Sequence, residues 1–416
     1  MTDLRVIIDP QSYKVFAGPD WPSLEDIVDN KISHLPHIAK EVAEFVQMQQ
    51  QNYNAITASG ADLELANQQR QQQQFYDKQY LGSSCRVPWD TLGINANGDA
   101  YICLSPSWIP LFVGNILEVE DIFELLNSNK AQRIRQEILA GRYYYCNNKI
   151  CGFFSNKSPT LYNSAGSQEP LLEEFTEATK VRHLPKNLIL DFDYTCNLHC
   201  GSCRTQTINY NNDHVRRPIN FKIVEKIKRL IIDQVDQQPM SIRWCGGELF
   251  ISAAYLDLLE YISAQNKPTI KHIIQTNGHY LQSRQQLIEQ LAPHIQSFWV
   301  SFDAATADTY RQVRRGGSWD QLLKNVNWLM NFLESNQFKF SVSACFVVQL
   351  DNYKEIPQFV ELCSTFKIKD IQLQKMWNWG TWPQEEFDEK NIYNPQHPLY
   401  ADLSKTFAQA KQTIKY

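Results

Sequence analysis

At 416 residues, with 43% hydrophobic and 20% charged side chains, the chain is ordinary globular material and long enough for two domains with extensions. Its net charge of −5 gives no general pull toward nucleic acid or an anionic membrane, and no apolar run reaches the roughly 18 residues a membrane span needs. The opening MTDLRVIIDPQ lacks an apolar core with a small-residue cleavage site, so a cytoplasmic protein is expected, where ten cysteines point to metal or catalysis before disulfides.

Near the N-terminus, LRVIIDP reads as a strand, followed by a Leu/Ile/Val-periodic helical stretch to about Val46. Residues 48–80 are rich in Gln, Asn and Ala, with QQRQQQQ at 68–74, which fits either a polar helix or a loose linker. From Cys85 the texture changes: CRVPWDTLGINANGDAYICL reads as two short strands joined at Asn97-Gly98. VEDIFELLNSNKAQRIRQEILAG then reads as two helices with Gly141 as a C-cap, and CNNKIC closes the segment. Residues 155–170, with Ser, Asn, Pro and Gly, read as a linker.

From Asn187 strands and helices alternate. Strands are predicted at 188–193, 241–245, 270–276, 297–303, 338–348 and 368–374, with helical patterns at 221–235, 253–265 and 319–335. Six strands alternating with helices predict an α/β fold, a partial (β/α)6 barrel of parallel strands preceded by a small α+β module. The expected organisation is an N-terminal extension (1–80), the module (81–165), a linker (166–186), the barrel (187–380) and a C-terminal extension (381–416). Chemistry in such a barrel gathers at the carboxyl ends of the strands.

Cys196, Cys200 and Cys203 form CNLHCGSC directly after the first barrel strand. Three thiolates this close suit a soft multi-metal centre, and three ligands on a four-iron cubane leave one iron open to a small molecule. A zinc site completed by His199 satisfies the same spacing. Further along, Trp244-Cys245-Gly246-Gly247-Glu248 ends the second strand, Thr276-Asn277-Gly278 follows the third, and Ser301-Phe302-Asp303 ends the fourth. YRQVRRGG follows, carrying Arg311, Arg314 and Arg315.

This ordered set resembles the radical S-adenosylmethionine (SAM) superfamily, whose defining loop is CxxxCxxC after strand one. The resemblance implies a 4Fe–4S cluster on Cys196, Cys200 and Cys203, whose open iron chelates SAM. Reduction then cleaves SAM, and the 5′-deoxyadenosyl radical abstracts hydrogen from a substrate. It assigns Gly246, Gly247, Glu248, Thr276, Asn277, Ser301, Asp303 and Arg314 to the SAM pocket, with Glu248 toward the methionine ammonium, Ser301 and Asp303 toward the ribose and Arg314 toward the carboxylate. Ser202 stands where the family usually has an aromatic residue against adenine.

Cys85, Cys103, Cys146 and Cys151 make a second group, with Gly98 and Cys103 spaced as GxxxxC. This resembles the SPASM/twitch extensions of radical SAM enzymes, here placed ahead of the barrel and with the four cysteines of the shorter twitch type. The resemblance implies a second, auxiliary 4Fe–4S cluster with all four irons ligated, suited to passing electrons. Four-cysteine zinc is the alternative on spacing alone.

Cys245 is a candidate hydrogen donor to a substrate radical, while Cys345 and Cys363, and on the plainer reading Cys245 too, read as core cysteines. Trp377, Trp379 and Trp382 either cap the barrel mouth or belong to the core. The resemblance implies an oxidative modification of a peptide, often a ribosomally made precursor, with residues 1–80 as a possible recognition segment. The alternatives are a redox-neutral epimerase, a dehydrogenase of a sugar or other small molecule, and a non-catalytic zinc protein. A reductase such as flavodoxin or ferredoxin is implied as electron donor, with neither nucleic acid nor membrane as partner.

Overall fold

The computed structural model describes residues 85–106, 108, 109, 111–139, 143, 145, 146, 151, 178–378 and 381–413, together with the backbone of strand β1 (Arg5–Ile8). The recognition segment or linker expected elsewhere in 1–80, the first part of the 166–186 linker, Gly141 and Trp379 lie outside the described residues.

The module before the barrel supplies β2 (Thr91–Asn95), β3 (Asp99–Tyr101) and β4 (Gly114–Asn115), then helices α1 (Ile122–Leu126) and α2 (Asn129–Leu139). Gly98 makes the β2–β3 turn at φ +84°, a left-handed conformation that glycine takes without a Cβ penalty. Asp121 opens α1 with a capping box: its side chain takes backbone N–H groups while Glu124 reaches back to the N–H of Asp121.

All six barrel strands form: β5 (Asn187–Asp191), β6 (Met240–Trp244), β7 (Ile270–Thr276), β8 (Ile295–Ser301), β9 (Ser341–Val348) and β10 (Asp370–Lys375). Each is parallel to the next. Helices α3 (Arg216–Ile227), α4 (Ala253–Ala264), α5 (Gln285–Leu291), α6 (Ala307–Val313), α7 (Trp319–Asn336) and α8 (Ile356–Thr365) lie between them or after them, and α9 (Tyr400–Thr413) follows. Alternate strand residues such as Leu188, Leu190, Ile242, Trp244, Phe298 and Phe346 join the apolar core under the helices. Residues of opposite parity, among them Asp191, Arg243, Gln275 and Trp299, are absent from that core and face the lumen.

The module is less separate than the sequence suggested. β2 pairs in parallel with β5, so one ten-stranded sheet runs β1-β10-β9-β8-β7-β6-β5-β2-β3-β4. β2 thereby covers the first barrel strand's edge, and β1 covers that of β10. The end of the expected linker is bonded to the module: Arg135 donates to the Thr179 carbonyl at 2.9 Å, and Asn127 exchanges hydrogen bonds with the backbone of Val181.

Tyr101 reaches across this seam. It pairs with Gly93 on β2, and Gly93 pairs with Ile189 on β5. A Cβ built on Gly93 would lie 2.0 Å from the Tyr101 ring, so the absent side chain is what lets the ring lie over β2 toward Asp191. Gly93→Ala should therefore lower unfolding free energy by about 1–3 kcal/mol, the usual cost of overpacking. In a double-mutant cycle with Tyr101→Ala, followed by denaturant unfolding, the double variant should lose less than the sum of the two singles.

Candidate functional site: two cysteine-lined cavities

The loop after β5 turns on its own backbone. The N–H of Cys196 bonds the Ile208 carbonyl at 2.8 Å, and the N–H groups of Cys203 and Arg204 both bond the Cys200 carbonyl. Arg204 lays its guanidinium against this loop, with Nε and Nη2 each 3.4 Å from Cys203 Sγ and Nη1 2.7 Å from the Tyr194 carbonyl. Burial opposes the charge on Arg204, but the sulfurs of Cys203, Cys196 and Cys200 outweigh it and hold the cation. Burial also pushes the Cys200 thiol up to about 11, with the Arg314 cation pulling the other way, and raises Cys196. Three neighbouring sulfurs, Cys200 buried and the others partly so, next to two retained cations form a donor set suited to an anionic iron–sulfide group.

The turn after β6 is pressed onto this loop. Gly247 N–H donates to the Asp193 carbonyl at 2.8 Å and Glu248 N–H to the Thr195 carbonyl at 2.7 Å. A Cβ on Gly247 would stand 2.1 Å from the Thr195 oxygen, and one on Gly246, at φ +91°, 2.6 Å from the Asp193 oxygen. Two glycines are needed because backbone meets backbone. Glu248 is thus carried into the cleft, buried, where it accepts from Thr276 Oγ1 at 2.8 Å and Asn277 N–H at 2.7 Å. Burial raises its carboxyl, and these donors partly restore the anion. Asn277 also bonds Asn197 of the cysteine loop at 2.9 Å.

Asp303 takes a left-handed backbone (φ +58°) just past β8. One carboxylate oxygen accepts from the Val347 N–H at 2.7 Å, and the other pairs with Arg314 Nη1 at 3.1 Å. Burial opposes the Arg314 charge, and Cys200 and Asp303 preserve it. Its Nε is buried with no hydrogen-bond partner among the described residues, an orphan donor at a cleft expected to take a carboxylate. Of the three neighbouring arginines, Arg311 is on the surface paired with Asp308, Arg315 packs beside Gly201, and Arg314 lines the cleft.

The resulting cleft encloses about 740 Å³, part of it open to solvent. It brings together Cys196, Cys200 and Cys203 with Gly246, Gly247, Glu248, Thr276, Asn277, Ser301, Asp303 and Arg314, all expected there from the sequence. It also includes Gln275, Val347, Gln374, Lys375 and Trp377, which the sequence reading had not placed in the SAM pocket. The rule that chemistry sits at strand carboxyl ends would have found Lys375. Trp382 is buried with Met376 and Phe387, as a core residue.

Cys245 is not among the residues lining this cleft. It follows the last residue of β6, within electrostatic reach of Tyr101 and Tyr255, and its carbonyl accepts from Tyr255 Oη at 2.8 Å. Cys345, also expected in the core, is buried and faces the lumen near Gln372. Cys363 is a core residue of α8.

Cys85, Cys103, Cys146 and Cys151 surround a second cavity whose other walls include Val87, Pro88, Trp108, Ile109, Ile138 and Tyr143. Burial pushes the Cys85 thiol up to about 12, and Cys103 and Cys146 well above the usual thiol range, with the neighbouring sulfurs adding to the rise. Four thiolates in an apolar cavity need bound cations to exist together. Four sulfurs lining a mainly apolar cavity are a donor set that fits a fully ligated iron–sulfur cubane.

Two family models match the chain: the radical SAM superfamily over residues 192–363 and an iron–sulfur cluster-binding domain, SPASM, over residues 85–152. Similar curated proteins include the GTP 3′,8-cyclases of Alkaliphilus metalliredigens (strain QYMF) and Alkaliphilus oremlandii (strain OhILAs), 23% and 25% identical over 195 residues. Each match spans 46% of this chain and 57% of the relative's length. Among solved structures, Streptococcus suis SuiB bound to S-adenosylmethionine is 16% identical, with a TM-score of 0.35 over 68% of this chain and 58% of that one. Histidine-tagged anSMEcpe with bound AdoMet is 15% identical, with a TM-score of 0.31 over 45% and 49%. The matching models establish SAM, a SAM-binding 4Fe–4S cluster and an auxiliary cluster as the chain's cofactors.

Gly247→Ala should weaken SAM binding by about tenfold or more, because a backbone oxygen cannot move aside as a side chain would. Equilibrium dialysis checks the loss, and an unchanged far-UV spectrum shows that the barrel still folds.

Proposed function

We propose that this chain, a member of the radical SAM superfamily with a SPASM domain ahead of its barrel, oxidatively modifies a peptide substrate. In this reading Cys196, Cys200 and Cys203 hold the SAM-binding cluster, and Cys85, Cys103, Cys146 and Cys151 hold the auxiliary one. When bound, these groups supply reductive SAM cleavage, hydrogen abstraction from the substrate and an acceptor for the electron the substrate then loses. The observation that carries the reading is the pairing of a three-thiol cleft with a separate four-thiol cavity on one continuous sheet.

The protein's own part is positioning. Glu248, fixed by Thr276 and Asn277, presents a buried acceptor to the SAM ammonium. Arg314, held by Asp303 with Nε unpartnered, presents a donor to the carboxylate. Arg204 braces the loop and keeps a cation beside Cys203. Ser301, on the cleft wall, is the proposed contact to the ribose. The auxiliary module supports a peptide substrate, since such modules commonly accompany peptide modification. A small phosphorylated substrate is the second reading, favoured by the chain's match to GTP 3′,8-cyclases. A redox-neutral outcome with Cys245 returning hydrogen has less support, because Cys245 is not on the cleft wall.

Anaerobic reconstitution should give about eight irons per wild-type chain and about four in a Cys196/Cys200/Cys203→Ala variant, which also stops releasing 5′-deoxyadenosine from SAM. About four irons falling to none, with zinc retained, would overturn the auxiliary-cluster assignment and with it the electron exit.

A further inference from the structure

Below the cleft, the barrel lumen holds a cation with no counter-ion among the described residues. Arg243 is the middle residue of the strand end Ile242–Trp244 on β6, and both of its neighbours face the apolar core. Its own side chain therefore turns inward. The guanidinium carbon lies 5.0 Å from the ring centroid of Trp299, which is on β8, with β7 between. Two side chains can meet across an intervening strand in this way only over the concave face. Both are half-buried, so the space beside them is open.

Among the described residues Arg243 has no hydrogen-bond or ion-pair partner; stacking on Trp299 is its one polar interaction. The nearest inward acid on the adjacent strand is Asp191, which is fully buried and makes no bond to Arg243. Burial pushes the Asp191 carboxyl up, and the inward Asp370, in the register row of Ser343 and Trp299, is bonded to Ser343 Oγ and not to the guanidinium. The lumen is also unlike the Val/Ile/Leu-filled interior of an ordinary closed barrel, since Gln275, Gln372 and Gln374 line it as well. Of these, Gln275 has a buried Nε2 without a partner among the described residues.

Register fixes the depth. Arg243 is level with Ile273, and Gln275, one inward layer higher on the same strand, forms part of the cleft wall. Two residues along a strand rise roughly 6.6 Å. Trp299 is level with Gln275, and Ser301, two residues on, also lines the cleft. An unpaired guanidinium 5.0 Å from an indole centroid, on the lumen side one layer under the cleft wall, has the form of a recognition group.

Building on the function proposed above, we propose that Arg243, stacked on Trp299, anchors an anionic oxygen group of the substrate at the base of the lumen. That group is a carboxylate or a phosphate, and the carbon to be attacked stands roughly 7 Å above it, several bonds away. Trp299 holds the guanidinium in the lumen with its forked N–H donors left for the ligand.

The test uses reconstituted enzyme with SAM present, so that the upper cleft is filled. Glutarate and inorganic phosphate are the probes and glutaramide the neutral control, with binding followed by isothermal titration. Wild type should bind at least one anion saturably and ignore glutaramide. Arg243→Gln should weaken that binding by about tenfold or more, and Arg243→Lys should recover part of it. Preference for glutarate identifies a carboxylate substrate, and preference for phosphate a phosphorylated one. Iron content and SAM affinity, measured on the same samples, should be unchanged, which separates this site from the cofactor site. Absence of binding by either anion, or equal binding by Arg243→Gln and wild type, overturns the assignment. A wild type that binds the anion but fails to cleave SAM would count against the proposed function and leave this anchor standing.

Discussion

The functional end of the barrel depends on one contact: the backbone of the Gly246-Gly247 turn lying directly on the backbone of the cysteine loop. Two N–H groups, from Gly247 and Glu248, reach the carbonyls of Asp193 and Thr195 without an intervening side chain. This ties the ends of β5 and β6 together and orients Glu248 inward. Glu248 then recruits Thr276 and Asn277 from the end of β7, and Asn277 returns to Asn197 on the cysteine loop. These hydrogen bonds close a ring around three strand ends. On the far side Asp303 performs the same task for β8 and β9, by taking Arg314 and the Val347 N–H on opposite oxygens. Buried polar groups that satisfy one another in this way are rigid, as cofactor positioning requires.

The second constraint is the seam between the two cysteine cavities. Because β2 pairs with β5, the auxiliary module is part of the sheet that carries the cleft, and Tyr101 lies two residues from Cys103 while its ring extends over Gly93 toward Asp191. A sheet shared by both centres fixes their separation more firmly than a flexible tether does.

Much of this was legible in the sequence. All six barrel strands and helices α3, α4 and α7 follow from short-range periodicity, and the cysteine, Gly-Gly-Glu and Asp303 positions follow from local spacing at strand ends. The features that were not legible depend on register between distant segments. Nothing near Thr91 announces that it will lie beside Asn187, so the joined sheet and the reason for Gly93 stay hidden until the strands are paired. Arg243 reads as one polar residue of an alternating strand, and its significance appears only when Trp299 is found across β7 with no carboxylate bonded to the guanidinium among the described residues. Cys245 stands next to Gly246 in sequence yet is absent from the cleft lining, which spacing along the chain does not reveal. Arg311, Arg314 and Arg315 could be told apart only by where α6 ends.

The central claim is that one cluster in this protein is open to SAM and the other is closed by four thiolates. Low-temperature electron paramagnetic resonance of the reduced, reconstituted protein, recorded with and without SAM, tests it most directly. The account predicts two overlapping signals from reduced 4Fe–4S clusters, of which SAM shifts one and leaves the other unchanged. A single signal, or two signals that both ignore SAM, would contradict it.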